Sequence, residues 1–591
     1  MTQRHPISGN VHSIKVETEV PTRMRDGTVL YADVVRPDAS GRFPVILQRT
    51  PYDKRAGRAA MGLEAINLAT HGYAVVTQDC RGRFSSEGEW NPFFDEIQDG
   101  YDTVEWCAAQ PWSNGKVGMF GGSYVGATQW LAAIARPPSL VAISPRITSS
   151  NYYEGWTYVG GALAWGFASS WTMGNLAAAN IETIRRNKEI PQSMVQSLVT
   201  SVDQMDEPFK TLPLRNLPGL NRDLAPYFYD WISHPTYDDY WRRIAIEERH
   251  NQVTVPSFNS GGWFDIFLGG TLKNYVGMRA KGTTPGARDA RLLIGPWYHG
   301  PHGSIAGDYY FGAGAADVAV DLAGRQVRFF NHWLKGQDDG YSREAPVRIF
   351  VMGDNVWRTE NEWPLARAQN VNFYLQSGGR ANTLNGDGLL SRDLPGASQS
   401  PDSFLYDPRN PVPTRGGGLC CNAIFLPGGS YDQRPVEARA DVLCYTTPPL
   451  AVDTEVTGPI TVTLYASSSA PDTDFTAKLV DVCPAPDHCV HGLTDGIIRA
   501  RYRNSTTGAA APLTPGRVEK YTIDLVSTAN VFKKGHSIRV DISSSNFPRF
   551  DRNLNTGKEG WQDAEIRVAQ QTIFHSAEYP SHITLPVIPR N

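Results

Sequence analysis

The 591-residue chain has no run of lysine and arginine and no basic stripe, and its formal net charge is −4 with both signs dispersed. A nucleic-acid partner is therefore not expected. No uninterrupted apolar stretch approaches the length needed to span a bilayer, so no membrane role is expected either. The opening MTQRHPISGNVHSIKV lacks the apolar core of a secretory signal, which makes a cytoplasmic location the expectation. Cysteine is scarce and irregularly spaced, with only Cys80, Cys107, Cys420, Cys421, Cys444, Cys483 and Cys489. That excludes a disulfide framework. Cys483 and Cys489 are near enough for a local bridge, but a reducing compartment weighs against one. CxxC and HExxH are both missing, and the single grouping of His488 and His491 around Cys489 is of an incidental kind. Neither a metal nor an organic cofactor is expected.

What is present points to a large globular protein. The length exceeds what one hydrophobic core supports, so two or three domains are expected. From residue 13 to 150, Phe43–Arg49, Tyr73–Asp79, Lys116–Phe120 and Leu140–Ser144 read as near-continuous apolar strands, alternating with helical stretches over Glu96–Gln110 and Val125–Arg136. Strands buried on both faces and separated by helices are the mark of a parallel α/β sheet. From 151 to 249 the strands give way to helical spacing interleaved with tryptophan. The α/β texture returns with Val255–Asn259, Arg291–Ile294 and a closing helix over Val318–Leu334. From 345 to the end, segments such as Val347–Met352, Ile460–Ala466, Phe475–Val482 and Ser537–Ser543 alternate apolar and polar residues between turn-forming clusters, which predicts a sandwich or jelly roll.

The chemistry is concentrated in KVGMFGGSYVGATQWLAAIARPP. Lys116–Phe120 is a strand, Val125–Ala135 is a helix stopped by Pro137 and Pro138, and Ser123 lies on the glycine-rich turn between them. A serine in that setting is a nucleophile elbow, held at a helix N-terminus where partial positive charge favours an oxyanion. The usual pattern has glycine two residues after the serine. Here Val125 occupies that place and Gly126 follows. A phosphate-binding turn is the competing reading, but no lysine follows to hold a phosphate. Gly428-Gly429-Ser430-Tyr431 repeats the letters within the β-rich region, without a helix behind it, so Ser430 is rejected.

A nucleophilic serine requires a base and an acid that orients it. In the α/β-hydrolase order Ser–acid–His, the returning segment offers FNSGGWFDIFLGG, with Asp265, and LIGPWYHGPHG, with His299 and His302. Asp265 and His299 are the chosen partners, and His302 is the runner-up base. For the oxyanion, one donor is the backbone N–H of Tyr124. The loop QRTPYDK has no glycine run and its Pro51 has no N–H, leaving the Tyr52 hydroxyl as candidate; packing alone would equally explain that residue.

Taken together, RTPYDK, GYAVVTQDCRGRFSSEGEW, GGSYVGATQW, GGWFDIF, GPWYH, DQRPVEARADVL and TGPITVTLYASSSAPDTDFTAKLVDV resemble the bacterial cocaine esterase family, which also includes X-Pro dipeptidyl-peptidases and α-amino-acid ester hydrolases. The resemblance spans nearly the whole chain and includes the altered elbow. It implies a discontinuous α/β-hydrolase domain (1–150 and 250–344), a helical cap (151–249) and a jelly-roll-like β domain (345–591). It also implies Ser123, Asp265 and His299 as a triad, with Tyr52 and Tyr124 as oxyanion donors. In the family's esterases, cap tryptophans line the acyl pocket. Trp156 and Trp171 look equivalent, and Phe267 resembles another lining position, with core packing the alternative for each. The amino-ester branch places carboxylates just after the acid, whereas here Ile266-Phe267-Leu268 is apolar. A buried, unpaired ammonium would be costly there, so uncharged acyl groups are favoured. The expected function is hydrolysis of small-molecule esters through an acyl-enzyme on Ser123. The rivals are an amide or β-lactam side-chain acylase, an X-Pro dipeptidyl-peptidase-like hydrolase, and an inactive ligand- or glycan-binding scaffold. A homodimer is the oligomeric state to test.

Overall fold

The computed structural model describes residues 11–57 and 64–590. Ten strands form one sheet: β1 (Ile14–Arg23), β2 (Val29–Pro37), β3 (Phe43–Thr50), β4 (Ala74–Asp79), β5 (Ser113–Gly122), β6 (Leu140–Arg146), β7 (Phe258–Phe264), β8 (Arg291–Tyr298), β9 (Val347–Val351) and β10 (Val356–Glu360). Their order is β1-β2-β4-β3-β5-β6-β7-β8-β9-β10. The run from β4 to β9 is parallel, with antiparallel strands at both edges. Helices α1 (Glu96–Ala109), α2 (Tyr124–Ile134), α3 (Leu268–Lys281) and α4 (Leu322–Lys335) lie between these strands in the chain. Val45, Ile46 and Leu47 in β3 are fully buried, which is why that strand reads as an unbroken apolar run. Truncating Ile46 or Leu47 to alanine would cost about 2–5 kcal/mol.

Two elements differ from expectation. Val347–Val351, grouped by its alternation with the β-rich region, pairs in parallel with β8, so the α/β sheet continues through Glu360. The strand expected at Val255–Asn259 is shifted to Phe258–Phe264, taking in the Gly261-Gly262 pair that reads as a loop. A Cβ on Gly262 would stand 2.1 Å from the Trp297 carbonyl oxygen, so glycine is required there by the close approach of β8.

Between β6 and β7 the chain is largely helical, including Trp165–Ser170, Gln192–Asp203 and Pro226–Ser233. After Ser170 the hydrogen bonding widens into a π-helical turn over Trp171–Ala177. Beyond β10 an 11-stranded sheet occupies the C-terminal part. Its longest strand, Thr454–Ser468, pairs antiparallel with Glu519–Phe532, and Ile460, Val462, Leu464 and Ala466 alternate inward. The loop after the Ser537–Ser543 strand meets the region between β6 and β7: Gly166 N–H donates to the Pro548 carbonyl at 2.7 Å, and Leu163 N–H to Asp551 Oδ1 at 2.8 Å. Cys483 is bonded to Cys489, the local bridge that the sequence left open, and Cys420 is bonded to its neighbour Cys421, a pairing that the sequence did not suggest. Among the described residues, no helix is long and apolar enough to cross a membrane.

Candidate active site

β5 ends at Gly122 and α2 begins at Tyr124, which leaves Ser123 alone on the turn between them. Its backbone has φ 59° and ψ −127°, a region that costs an L-residue about 1–3 kcal/mol and persists only where the surroundings enforce it. Here they do. Ser123 N–H donates to the Arg146 carbonyl of β6 at 3.0 Å. A Cβ on Gly121 would lie 2.3 Å from Val125 Cγ1, and one on Gly126 would lie 2.8 Å from Thr148 Cβ. Glycine is thus needed two residues before the serine and three after it. Val125 fits the intervening place because its own side chain fills the space over Gly121.

Asp265 is the first residue beyond β7 and His299 the first beyond β8. These strands are parallel neighbours, so both side chains emerge at the carboxyl edge of the sheet, beside the elbow. His299 Nε2 lies 3.1 Å from Ser123 Oγ, and His299 Nδ1 lies 2.8 Å from Asp265 Oδ2. The other carboxylate oxygen, Oδ1, accepts the Phe267 N–H at 2.7 Å, so the acid is held at both ends. The Asp265 side chain is fully buried and that of His299 is 10% exposed. The structure therefore brings together the three residues chosen from the sequence.

His302 is not among them. Arg146 Nη2 lies 2.7 Å from its Nδ1, and its ring stacks on Trp297 at 4.4 Å. Burial, with the nearby Arg146 charge, holds its pKa well below the ordinary histidine value. Ser430 is buried in the C-terminal part, where its backbone bonds with Ala306 and Asp308.

Tyr52 follows β3, and its hydroxyl accepts the Trp171 Nε1–H at 3.1 Å. Burial raises the phenol well above its usual pKa, which keeps the proton on the oxygen. The loop that carries it is anchored by a buried ion pair: Lys54 donates to Asp79 Oδ1 through its backbone at 2.7 Å and to Oδ2 through Nζ at 3.0 Å. Arg83 is also buried there. Its Nε donates to the Pro51 carbonyl at 2.7 Å and its Nη1 to the Leu176 carbonyl at 2.8 Å, tying the Tyr52 loop to the helical region. Sequence reasoning missed Arg83 and Cys420–Cys421. The Tyr124 backbone N–H opens α2, where the first N–H groups have no partner within the helix. Its side chain is buried elsewhere, donating to Glu96 Oε1 at 2.9 Å.

Trp156, Trp171 and Phe267 are all buried close by. Trp156 and Phe267 stack with centroids 4.0 Å apart, and Phe267 meets the His299 ring edge-on at 5.1 Å. Trp171 packs edge-on against Trp156 at 5.5 Å.

A serine on a strand-to-helix turn, with Asp and His on the next strands of a parallel sheet, defines a serine hydrolase of the α/β-hydrolase fold. Residues 26–301 match the model for the X-Pro dipeptidyl-peptidase (S15 family), and residues 339–584 match that for the X-Pro dipeptidyl-peptidase C-terminal non-catalytic domain. The chain is 40% identical to a cocaine esterase from Rhodococcus sp. (strain MB1 Bresler), covering 99% of this chain and 100% of that one. Among solved structures, an aminopeptidase from the marine sediment archaeon Thaumarchaeota archaeon is 26% identical with a TM-score of 0.80, covering 100% of this chain and 99% of that one. An α-amino acid ester hydrolase is 25% identical with a TM-score of 0.78 and covers 99% of both chains. The chain belongs to the bacterial cocaine esterase family.

Proposed function

We propose that this protein hydrolyses carboxylic esters of uncharged aromatic or aliphatic acids, with Ser123 as nucleophile, His299 as base and Asp265 as orienting acid. The observation that carries the reading is the unbroken line of contacts from Ser123 Oγ through both ring nitrogens of His299 to Asp265, at 3.1 and 2.8 Å. The Asp265 carboxylate accepts the Nδ1–H, which leaves Nε2 free to accept the serine proton. As Oγ attacks the carbonyl, the imidazolium that forms is stabilised by Asp265. The Tyr52 hydroxyl and the Tyr124 N–H receive the oxyanion, each donor contributing about 3–4 kcal/mol. His299 then protonates the leaving alcohol, and water repeats the cycle on the acyl-enzyme.

Trp156, Trp171 and Phe267 are assigned as walls for the acyl group. Ile266 and Leu268 flank that wall without a carboxylate, which favours an uncharged substrate over an α-amino one. The esterase relative supports ester over amide cleavage. A matched ester and anilide of the same aromatic acid test this: the ester should turn over far faster, whereas equal rates would favour an amidase.

A further inference from the structure

The loop carrying Cys420 and Cys421 lies directly on the acid of the site. A Cβ on Gly418 would stand 3.2 Å from the Asp265 carbonyl oxygen and 3.3 Å from Ile266 Cα. Cys420 shares an apolar cavity with Trp156 and Phe267's neighbour Ile266. The two cysteines are bonded to each other, and each offers a sulfur that lies within 4.8 Å of the other and of a ring nitrogen of His299. Cys420 is buried, whereas Cys421 is partly exposed and leads into the exposed Ala423 and Ile424. A reductant therefore has access to the pair from the Cys421 side.

We propose that Cys420 and Cys421, once reduced, join His299 in a soft-metal site that shuts down the esterase when Zn2+ occupies it. The proposal rests on the reading of His299 as the base. A dithiol reductant opens the Cys420–Cys421 bond: that bond takes up two electrons and two protons, and the reductant becomes a disulfide. Zn2+ then displaces both thiol protons, forms two zinc–sulfur bonds and takes the Nε2 lone pair, with water in the fourth position. Two thiolates and an imidazole suit zinc, whose tetrahedral donors stand roughly 3.5 Å apart; once the bond is opened the two sulfurs must part, starting from positions within 4.8 Å of a His299 ring nitrogen. The Nδ1–H remains with Asp265, an orienting bond of the kind that zinc-ligating histidines use. The same lone pair cannot both hold zinc and accept the Ser123 proton. Reduction alone leaves the base free, and metal alone finds no thiolates.

A second grouping, Cys483, Cys489 and His491, is the internal comparison, because it too pairs a bridge with a histidine. The experiment uses the full chain carrying Cys483→Ser and Cys489→Ser, and in parallel the unmodified chain. Each is reduced with a dithiol, desalted without oxygen and titrated with Cd2+, following the cadmium–thiolate charge-transfer band and ester hydrolysis together. Expected is uptake by the reduced chain only, with the rate falling roughly 100-fold or more, the share a general base supplies. Adding Cys420→Ser should weaken Cd2+ binding by at least the roughly 10–100-fold that loss of a mere supporting contact costs. Equal responses from reduced and oxidised chains, an unchanged response in Cys420→Ser, or bound Cd2+ with an undiminished rate would each overturn the proposal. Absence of ester hydrolysis before any metal is added contradicts the esterase reading instead, and the charge-transfer band still decides whether the site exists.

Discussion

The Trp171 indole N–H donates to the Tyr52 hydroxyl at 3.1 Å, so a residue expected only as a pocket wall also orients the group assigned to the oxyanion. Replacing Tyr52 with phenylalanine should lower kcat by about 100- to 1000-fold. Trp171→Phe, which keeps the ring but loses the N–H, should cost about 1 kcal/mol, or about fivefold. In a Tyr52→Phe background the Trp171→Phe effect should vanish. An undiminished effect there would mean that Trp171 acts by packing alone.

Arg83 makes a second prediction. Its guanidinium donates to the Pro51 and Leu176 carbonyls and, at 3.4 Å, to that of Asn175, and it sits 4.7 Å over the Trp90 ring. Arg83→Met keeps most of the volume and strands these carbonyls. Tm should fall by roughly 5 °C and kcat should fall with it, since hydrogen bonds to a charged group are worth about 1.5–3 kcal/mol each. Thermal scans and steady-state rates check this, and Arg83→Lys should recover part of both. A normal Tm would remove Arg83 from the account.

His302 carries a prediction that distinguishes it from His299, the proposed base. Its folded-state pKa is depressed by burial and by Arg146, whereas the unfolded chain protonates near the ordinary value of about 6.5. The unfolded state therefore binds more protons below that value. The neutral ring's contribution is complete above about pH 6.5 and is lost as the pH falls further. Tm measured between pH 8 and pH 5, taken here as roughly bracketing the histidine range, should drop less in His302→Gln than in the parent. The variant should retain ester hydrolysis. Loss of all activity with an unchanged Tm would restore His302 as the base.

The stack of Trp156 on Phe267, at 4.0 Å, makes a prediction about specificity. Trp156→Ala removes one wall, so kcat/KM for a benzoyl-sized acid should fall by about 1–3 kcal/mol while longer acyl chains lose less or gain. A p-nitrophenyl ester series of graded acyl length reads this out. A uniform fall across the series would show that Trp156 supports the fold rather than selects the substrate.

Much of this site could be read before any coordinates, because its signals are local. A strand, a turn serine and a helix lie within one short segment, and Asp265 and His299 each follow a strand directly. The misreadings have physical causes. β7 resembles a loop because it carries two glycines, of which Gly262 admits the Trp297 backbone, a requirement set by another strand. β9 alternates like a strand of the C-terminal sheet, and nothing in five residues reveals which sheet it joins. Arg83 meets Leu176 across 93 positions, and Cys421 reaches His299 only because the C-terminal loop folds onto Asp265. Contacts of that kind have no periodicity to betray them.

The most direct test is the mass of the intact chain after reaction with a fluorophosphonate, followed by mapping of the labelled peptide. The account predicts one adduct on Ser123, absent in Ser123→Ala and slowed in His299→Ala. An adduct on another residue, Ser430 included, or undiminished labelling of Ser123→Ala, would contradict it.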